Sequence, residues 1–340
     1  MNKIHTFSIS LFAVLAMASC EKENNVIVES PEAIVEGEYV TLSVSTDTDA
    51  TKAATSSVTD AAKNTLQVFI FTSDGVLETN KRVSGSTLAI NSRLGAKHIW
   101  AVVNAPAISA TSEDDLKAQT VSLSSVTATN LLMAGMASET IDANSDRLDI
   151  SVDRLVAKIS LENVSVDFTG TGLSGKTFIV KDLYLKNVAG STNVAGTAAM
   201  SAITWYNQLK RVPGAPAIVE DMGLNTTINS GGGDTGTQAL NKTWFTCPNS
   251  ASESAAGQES TWSPRHTRLV LHATVGGTDT YYTFTLPALS RNHAYTIKTI
   301  KITMQGKDND NNDETTNSGA LNMDITVNPW TGEDDITYEY

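Results

Sequence analysis

Residues 40–45 alternate without a break: Val40, Leu42 and Val44 are apolar, and Thr41, Ser43 and Ser45 between them are polar. Successive side chains of an extended chain point to opposite faces, so a period of two reads as a strand with one face in a core. Most of the remaining text is of the same kind, short Thr-, Ser- and Val-rich runs separated by turn-forming residues. Leu66-Gln67-Val68-Phe69-Ile70-Phe71 is a strongly apolar strand closed by the turn signal Ser73-Asp74-Gly75, and residues 98–104 form another that Pro106 stops. A new series begins over residues 154–161 and continues through 164–166 and 178–185; the last third adds 268–275, 281–286 and 295–304. Helical periods are scarce. One short helix fits between Glu113 and Ser125, and residues 131–137 read as an irregular or helical piece. Residues 46–57, Gly231-Gly232-Gly233 and residues 249–258 read as loops. Strands at this spacing predict a mainly all-β fold of two tandem β-sandwich domains with few short helices, divided near Asp153.

The N-terminus sets the compartment. Lys3 and His5 precede an apolar run over residues 7–18, which ends in Leu15-Ala16-Met17-Ala18-Ser19-Cys20. A charged start, an apolar centre and small residues before a cleavage point are the parts of a secretory signal, here residues 1–19. The run is shorter than the roughly 20 residues a spanning helix needs. The cysteine directly after the cleavage point resembles the lipobox of bacterial lipoproteins, in which the thiol, here of Cys20, is acylated and begins the mature chain. Glu21-Lys22-Glu23 follows at once. That charged cluster resembles the surface-export signal of Bacteroidetes lipoproteins, and by its residues alone is a solvated tether. With Cys20 used for lipid, Cys247 has no partner, so stability must come from core burial and sheet pairing.

The sequence holds 37 Asp and Glu against 24 Lys and Arg, a balance that argues against nucleic acid, whose binding needs basic patches. Gly170-Thr171-Gly172-Leu173-Ser174-Gly175 matches a dinucleotide fingerprint as a string. The fingerprint needs a helix to begin there, whereas residues 178–185 read as a strand, so we expect a hairpin loop. Asp308, Asp310, Asn312 and Glu314 set oxygens at alternate positions, as a calcium loop does. Asp313 stands where such a loop needs glycine and no helices flank it, so a solvated loop between two strands is expected. His266 and His272 lack metal-ligand spacing, Cys247 lacks a catalytic partner, and no G-x-S-x-G elbow occurs. No catalytic residue, metal or cofactor is expected.

Several segments, in order, resemble the fimbrillin family, the subunits of the type V pili of Bacteroidetes, and its major subunits in particular. They are the lipobox at Cys20, the Lys52 loop between the alternating strand and the apolar strand at 66–71, Arg154-Leu155-Val156-Ala157-Lys158-Ile159, Arg291-Asn292-His293-Ala294-Tyr295-Thr296-Ile297-Lys298, and a closing strand with Val327-Asn328-Pro329-Trp330. The resemblance implies a precursor delivered to the outer membrane by its lipid, then cut by a trypsin-like protease in the loop after the first strand, between Lys52 and Ala53. Lys52 stands where the family usually has Arg; by itself it is one lysine in a loop. The chain then divides into signal peptide 1–19, tether and removable strand 20–52, N-terminal sandwich 53–153, and C-terminal sandwich with donor tail 154–340.

Cutting would let the strand that carries Val40, Leu42 and Val44 leave, exposing an apolar groove flanked by unpaired backbone. The tail offers a replacement, since Leu321, Met323, Ile325 and Val327 alternate with polar residues and, after Trp330, Ile336 and Tyr338 alternate again. Four such side chains buried at about 1.5–3 kcal/mol each give roughly 6–12 kcal/mol before ordering costs. In an unassembled precursor the tail is expected to be the last strand of its own sheet. The implied partners are other copies of the chain, other fimbrial subunits, the protease and, through the lipid, the outer membrane. The competing reading is a tip adhesin or glycan-binding surface lipoprotein, with Trp205, Tyr206, Trp244 and Trp262 as exposed sugar platforms or, equally, as core aromatics. In the resemblance, tip subunits lack a donor tail and anchor subunits lack the cleavable loop. This chain has both, which favours a stalk subunit.

Overall fold

The computed structural model describes residues 39–47, 61–199, 204–208, 226–228, 234–251, 263–310, 321–329 and 336–338. The alternating segment becomes strand β1 (Tyr39–Asp47), with Leu42 and Val44 fully buried and Thr41 and Ser43 exposed. The apolar run becomes β2 (Thr65–Thr72), followed by β3 (Leu77–Ser84), β4 (Thr87–Arg93) and β5 (Gly95–Val103). A short helix, α1 (Glu113–Ala118), leads to β6 (Thr120–Ser122), β7 (Met133–Ile141), β8 (Arg147–Ser151) and β9 (Asp153–Arg154).

Among the described residues, these strands form two facing sheets, β4-β1-β8 and β3-β2-β5-β7-β9. Leu42 and Val44 from the first meet Leu66, Val68, Ile70 and Ile99 from the second in one core. The second sheet is covered on its other face as well, where Phe69, Phe71, Trp100 and Val102 pack with Leu116 of α1. Burial on both faces explains why β2 reads as a continuous apolar run while β1, solvated on one face, alternates. Residues 131–137 correct the expectation of an irregular or helical piece, because β7 pairs with β5 along its whole length. Its text, Met-Ala-Gly-Met-Ala, carries little strand preference; the nine-residue strand is fixed by its neighbour.

The second sandwich begins with β10 (Ala157–Asp167), β11 (Phe178–Lys186), β12 (Val188–Ala189), β13 (Ser191–Asn193), β14 (Trp205–Tyr206) and β15 (Thr226–Ile228). It continues with β16 (Thr235–Thr246), β17 (Arg268–Val275), β18 (Thr278–Thr285), β19 (His293–Ile302), β20 (Leu321–Pro329) and β21 (Ile336–Tyr338). Its sheets are β16-β10-β19-β20-β21 and β15-β11-β17-β18, closed over a core that includes Ile159, Leu161, Phe178, Leu271 and Ile297. Residues 170–175 are therefore no hairpin loop: they join β10 to β11, which lie in opposite sheets, and so form an arch across the sandwich. Asn249 corrects another expectation, since it is buried and its Nδ2 donates to Arg265 O and Thr267 Oγ1, each at 2.9 Å. Gly231-Gly232-Gly233 and residues 252–258 lie outside the described residues. Between the two sandwiches β6 pairs with β13, and Val194 enters the core around α1.

The helix carries the most strongly perturbed acid of the first sandwich. Ser112 caps α1 by accepting from Asp115 N at 3.1 Å, which sets Glu113 in the first turn. Glu113 is 6% exposed and meets Lys117 Nζ at 2.8 Å, His98 Nδ1 at 2.7 Å and Trp100 Nε1 at 3.1 Å. Burial alone would raise its pKa; the bonds from Lys117, His98 and Trp100 outweigh it and hold the carboxyl at about 2 against an ordinary 4.5. A depressed carboxyl stabilises the fold above its unfolded pKa and loses that contribution as pH falls through the folded one. We expect Glu113→Gln to lower stability near pH 7 by about 1–3 kcal/mol. Its gap from wild type should close between pH 4.5 and about 2, as read from urea midpoints by tryptophan fluorescence.

Candidate functional site

The site is built around β1. Its seven-residue antiparallel register with β4 runs from Tyr39↔Arg93 to Ser45↔Thr87, and its parallel register with β8 from Ser43↔Arg147 to Asp47↔Ser151. β1 is thus the middle strand of its sheet, bonded along both edges. Side chains repeat that double hold. On the β4 side Thr41 Oγ1 donates to Asn91 Oδ1 at 2.9 Å, and Arg93 Nε donates to Tyr39 OH at 2.9 Å with its guanidinium 5.5 Å from the ring centroid. On the β8 side Ser45 Oγ donates to Asp149 Oδ1. Bonds from Arg147 and Ser45 hold the Asp149 carboxyl below the usual carboxylate range.

Below the strand, Leu88 and Ile90 of β4 and Ile150 of β8 share the core with Leu42 and Val44, and Val40 packs at its border. Full burial of Leu42 and Val44 stabilises by about 1.5–3 kcal/mol each. Were β1 absent, these walls and two rows of backbone groups would face water, which is a template for an incoming strand.

Where the chain returns at Ala61 it is held firmly. Asn104, at the end of β5 with φ 60° and 3% exposed, donates through Nδ2 to Ala62 O at 2.7 Å and Leu131 O at 2.9 Å, and its Oδ1 accepts from Asn64 N at 2.7 Å. Lys63 Nζ reaches back to Thr46 O at the end of β1. The described chain on both sides of residues 48–60 is therefore tied to the body. Lys52 and Ala53 lie outside the described residues, as do Cys20 and Trp330.

The other expected segment is in the second sandwich. β20, which carries Leu321, Met323, Ile325 and Val327, pairs antiparallel with β19 from Ile302↔Leu321 to His293↔Pro329. β21, with Ile336 and Tyr338, pairs on its other edge through Ile325↔Tyr338 and Val327↔Ile336. β20 and β21 thus complete the second sandwich's own sheet. The structure does not bring β1 and β20 together; they belong to different sandwiches.

Asp310 corrects the expectation of a solvated loop. Its Oδ2 accepts from Tyr184 OH at 2.6 Å and pairs with Lys186 Nζ at 2.7 Å. Burial would raise its pKa, but the bonds from Lys186 and Tyr184 prevail and keep it below the usual range. Of the aromatics weighed as sugar platforms, Trp205 and Trp244 are buried and Tyr206 is half-buried against the core; Trp262 lies outside the described residues. His272 sits 2.8 Å from Asp182 and 3.1 Å from Asp279, with its ring stacked 4.3 Å from that of Tyr281. Cys247 is buried and burial pushes its thiol up to about 12, which leaves it unreactive.

Two tandem β-sandwiches whose first holds its leading strand in mid-sheet define the class of molecule. The chain matches no protein-family model and no curated protein. Among solved structures it is similar to a fimbrilin from Porphyromonas gingivalis, at 16% identity and a TM-score of 0.59, over 85% of this chain and 97% of that one. A protein from Bacteroides eggerthii provisionally described as a cell adhesion protein aligns at 19% identity and a TM-score of 0.61, covering 87% and 97% of the two chains. A fimbrial assembly protein from Parabacteroides distasonis aligns at 15% and 0.50, covering 89% and 99%. The chain has the fimbrilin-type fold.

Leu42→Ala should cost about 2–5 kcal/mol through the cavity it leaves under β1. Ser43→Ala on the exposed face should change stability by no more than about 0.5 kcal/mol. Urea midpoints of the two variants check this; equal midpoints would mean that β1 contributes little to the core.

Proposed function

We propose that this chain is a structural subunit of a cell-surface fimbrium and supports adhesion, with no catalytic role of its own. It is made as a lipoprotein precursor with signal peptide 1–19, acylated at Cys20 and carried to the outer membrane. A trypsin-like protease cuts between Lys52 and Ala53, residues 20–52 leave with β1, and the tail of one copy fills the vacated slot of the next. The sandwiches 53–153 and 154–340 are the body of the repeating unit.

The observation that carries the reading is the mid-sheet position of β1. A strand taken from a sheet edge would leave one unpaired row; a strand taken from between β4 and β8 leaves two, with an apolar floor between them. While β1 is covalently attached its effective concentration excludes any outside strand. Once cut it can dissociate, and an alternating segment from another copy can pair on both sides and bury its apolar face. The contact is head to tail and does not close on itself, so it builds a filament. The fimbrilin-type fold supports this role, and the buried Trp205 and Trp244 weigh against a sugar-binding one.

Unlipidated precursor treated with a trypsin-like protease should yield a new N-terminus at Ala53 and a heat-sensitive ladder on SDS gels. Deleting the tail from Leu321 onward should abolish the ladder without preventing the cut. Clean cutting that leaves only monomers would sink the strand-exchange reading.

A further inference from the structure

If the tail leaves its own sheet, some residue must be where the departing arm ends and the fixed body begins. β20 is held by backbone pairing to β19 and β21. The chain just before it is held differently. After β19, residues 303–310 cross to the opposite sheet and close the free edge of β18: Tyr281 N donates to Lys307 O at 2.8 Å and Lys307 N donates to Tyr281 O at 2.9 Å. Tyr282 OH donates to Met304 O at 2.9 Å. Between these contacts Gly306 lies so close to the strand that a Cβ would stand 2.4 Å from Tyr281 O and 2.8 Å from Thr280 Oγ1. The segment ends on β11, beyond β17, with the Asp310 carboxylate on Tyr184 and Lys186 and the Asp310 carbonyl accepting from Lys186 Nζ at 3.2 Å.

We propose that residues 303–310 are a latch that stays on β18 and β11 when the tail is donated, which makes Asp310 the fixed root of the donor arm and Gly306, Lys186 and Tyr184 its positioning residues. This rests on the strand-exchange reading. The latch belongs to a sheet that the exchange leaves whole, and its bonds are made to both an edge strand and an inner strand. Removing it would bare the β18 edge and leave Lys186, which is 8% exposed, without its carboxylate. Donating β20 requires neither. With the root at Asp310, the arm to Leu321 spans at most about 35–40 Å when fully extended. A root at Ile302 would add roughly 25 Å and dilute the donor strand around its acceptor.

The test uses the full unlipidated chain with Cys20→Ser, in which Cys247 is buried and inert. Tyr281 and Lys307 exchange both backbone bonds, a geometry that places the two Cα atoms about 5.5 Å apart and suits a disulfide. In Tyr281→Cys/Lys307→Cys, the oxidised, latch-locked chain should form the same protease-induced ladder as the reduced chain. In Thr296→Cys/Thr326→Cys, which ties β19 to β20, oxidation should abolish the ladder and reduction should restore it. Loss of the ladder in the oxidised latch pair, with recovery on reduction, overturns the latch while sparing strand exchange. A ladder from the oxidised β19–β20 pair overturns residues 321–327 as the donor, and the latch falls with it. Hydrogen exchange on the unmodified chain gives an independent readout: the amides of Tyr281 and Lys307 should stay protected from precursor to polymer. Their loss of protection on assembly would also overturn the latch.

Discussion

A strand bonded along one edge can be stripped from its sheet and leave a slightly smaller sheet behind, but β1 is bonded along both, antiparallel to β4 and parallel to β8. The first sandwich depends on that double pairing. β4 and β8 have no ladder to each other; β1 is what makes them one layer, and its Leu42 and Val44 close the core beneath. Without it, Leu88, Ile90 and Ile150 would face water across a gap one strand wide. The two edges also differ, since one accepts an antiparallel neighbour and the other a parallel one. Any strand that reproduces both ladders must enter in the direction of β1. Alternating apolar residues then fall on the floor of the slot in one of two phases, and only the phase of Leu42 and Val44 buries them.

The same physics explains which parts of the fold could be read from the residues. β1 was legible because one of its faces is wet, and β2 because both of its faces are dry; each case leaves a distinct pattern. β7 was not legible. Its Ala and Gly residues carry no β preference, and pairing with β5 decides its conformation. The walls of the slot lay between these cases: Leu88 and Ile90, and Leu148 and Ile150, do alternate, but over runs too short to stand out beside their turns. That β8 lies parallel to β1 across more than half of the first sandwich's sequence could not be read at all, because no local pattern encodes a distant neighbour. Residues 170–175 failed for a related reason. Glycine-rich text between two strands says that the chain turns, and whether it turns within a sheet or across a sandwich depends on which sheet receives the second strand.

Asp310 shows the limit from the side of the site. An acidic, Asn-rich stretch reads as solvent-facing, because charged residues are seldom buried unless paired. The partner that reverses this reading, Lys186, sits on β11, 124 residues earlier in the chain. Burial weakens the charge on the lysine, while the bonds from Lys186 and Tyr184 strengthen it on the aspartate. A pair of this kind adds little net stability over an apolar substitute, but breaking it strands a buried charge. It is therefore suited to marking a fixed point.

Asn104 marks a second one. It grips the chain at Ala62 and Asn64, directly after residues 48–60, with a buried amide that uses both its donor and its acceptor. In the proposed exchange the two grips lie at corresponding places, one after the segment whose departure would open the slot and one before the segment that would fill the slot of the next copy. Strand exchange conserves the number of paired strands only if nothing else unravels with the strands that move. A rootless leading segment would let β2 fray with β1, and β2 is an inner strand of the larger sheet. A rootless tail would draw residues 303–310 off β18 and expose an edge. In the proposed exchange, such directional polar bonds would mark the limit between the strands that move and the body that stays.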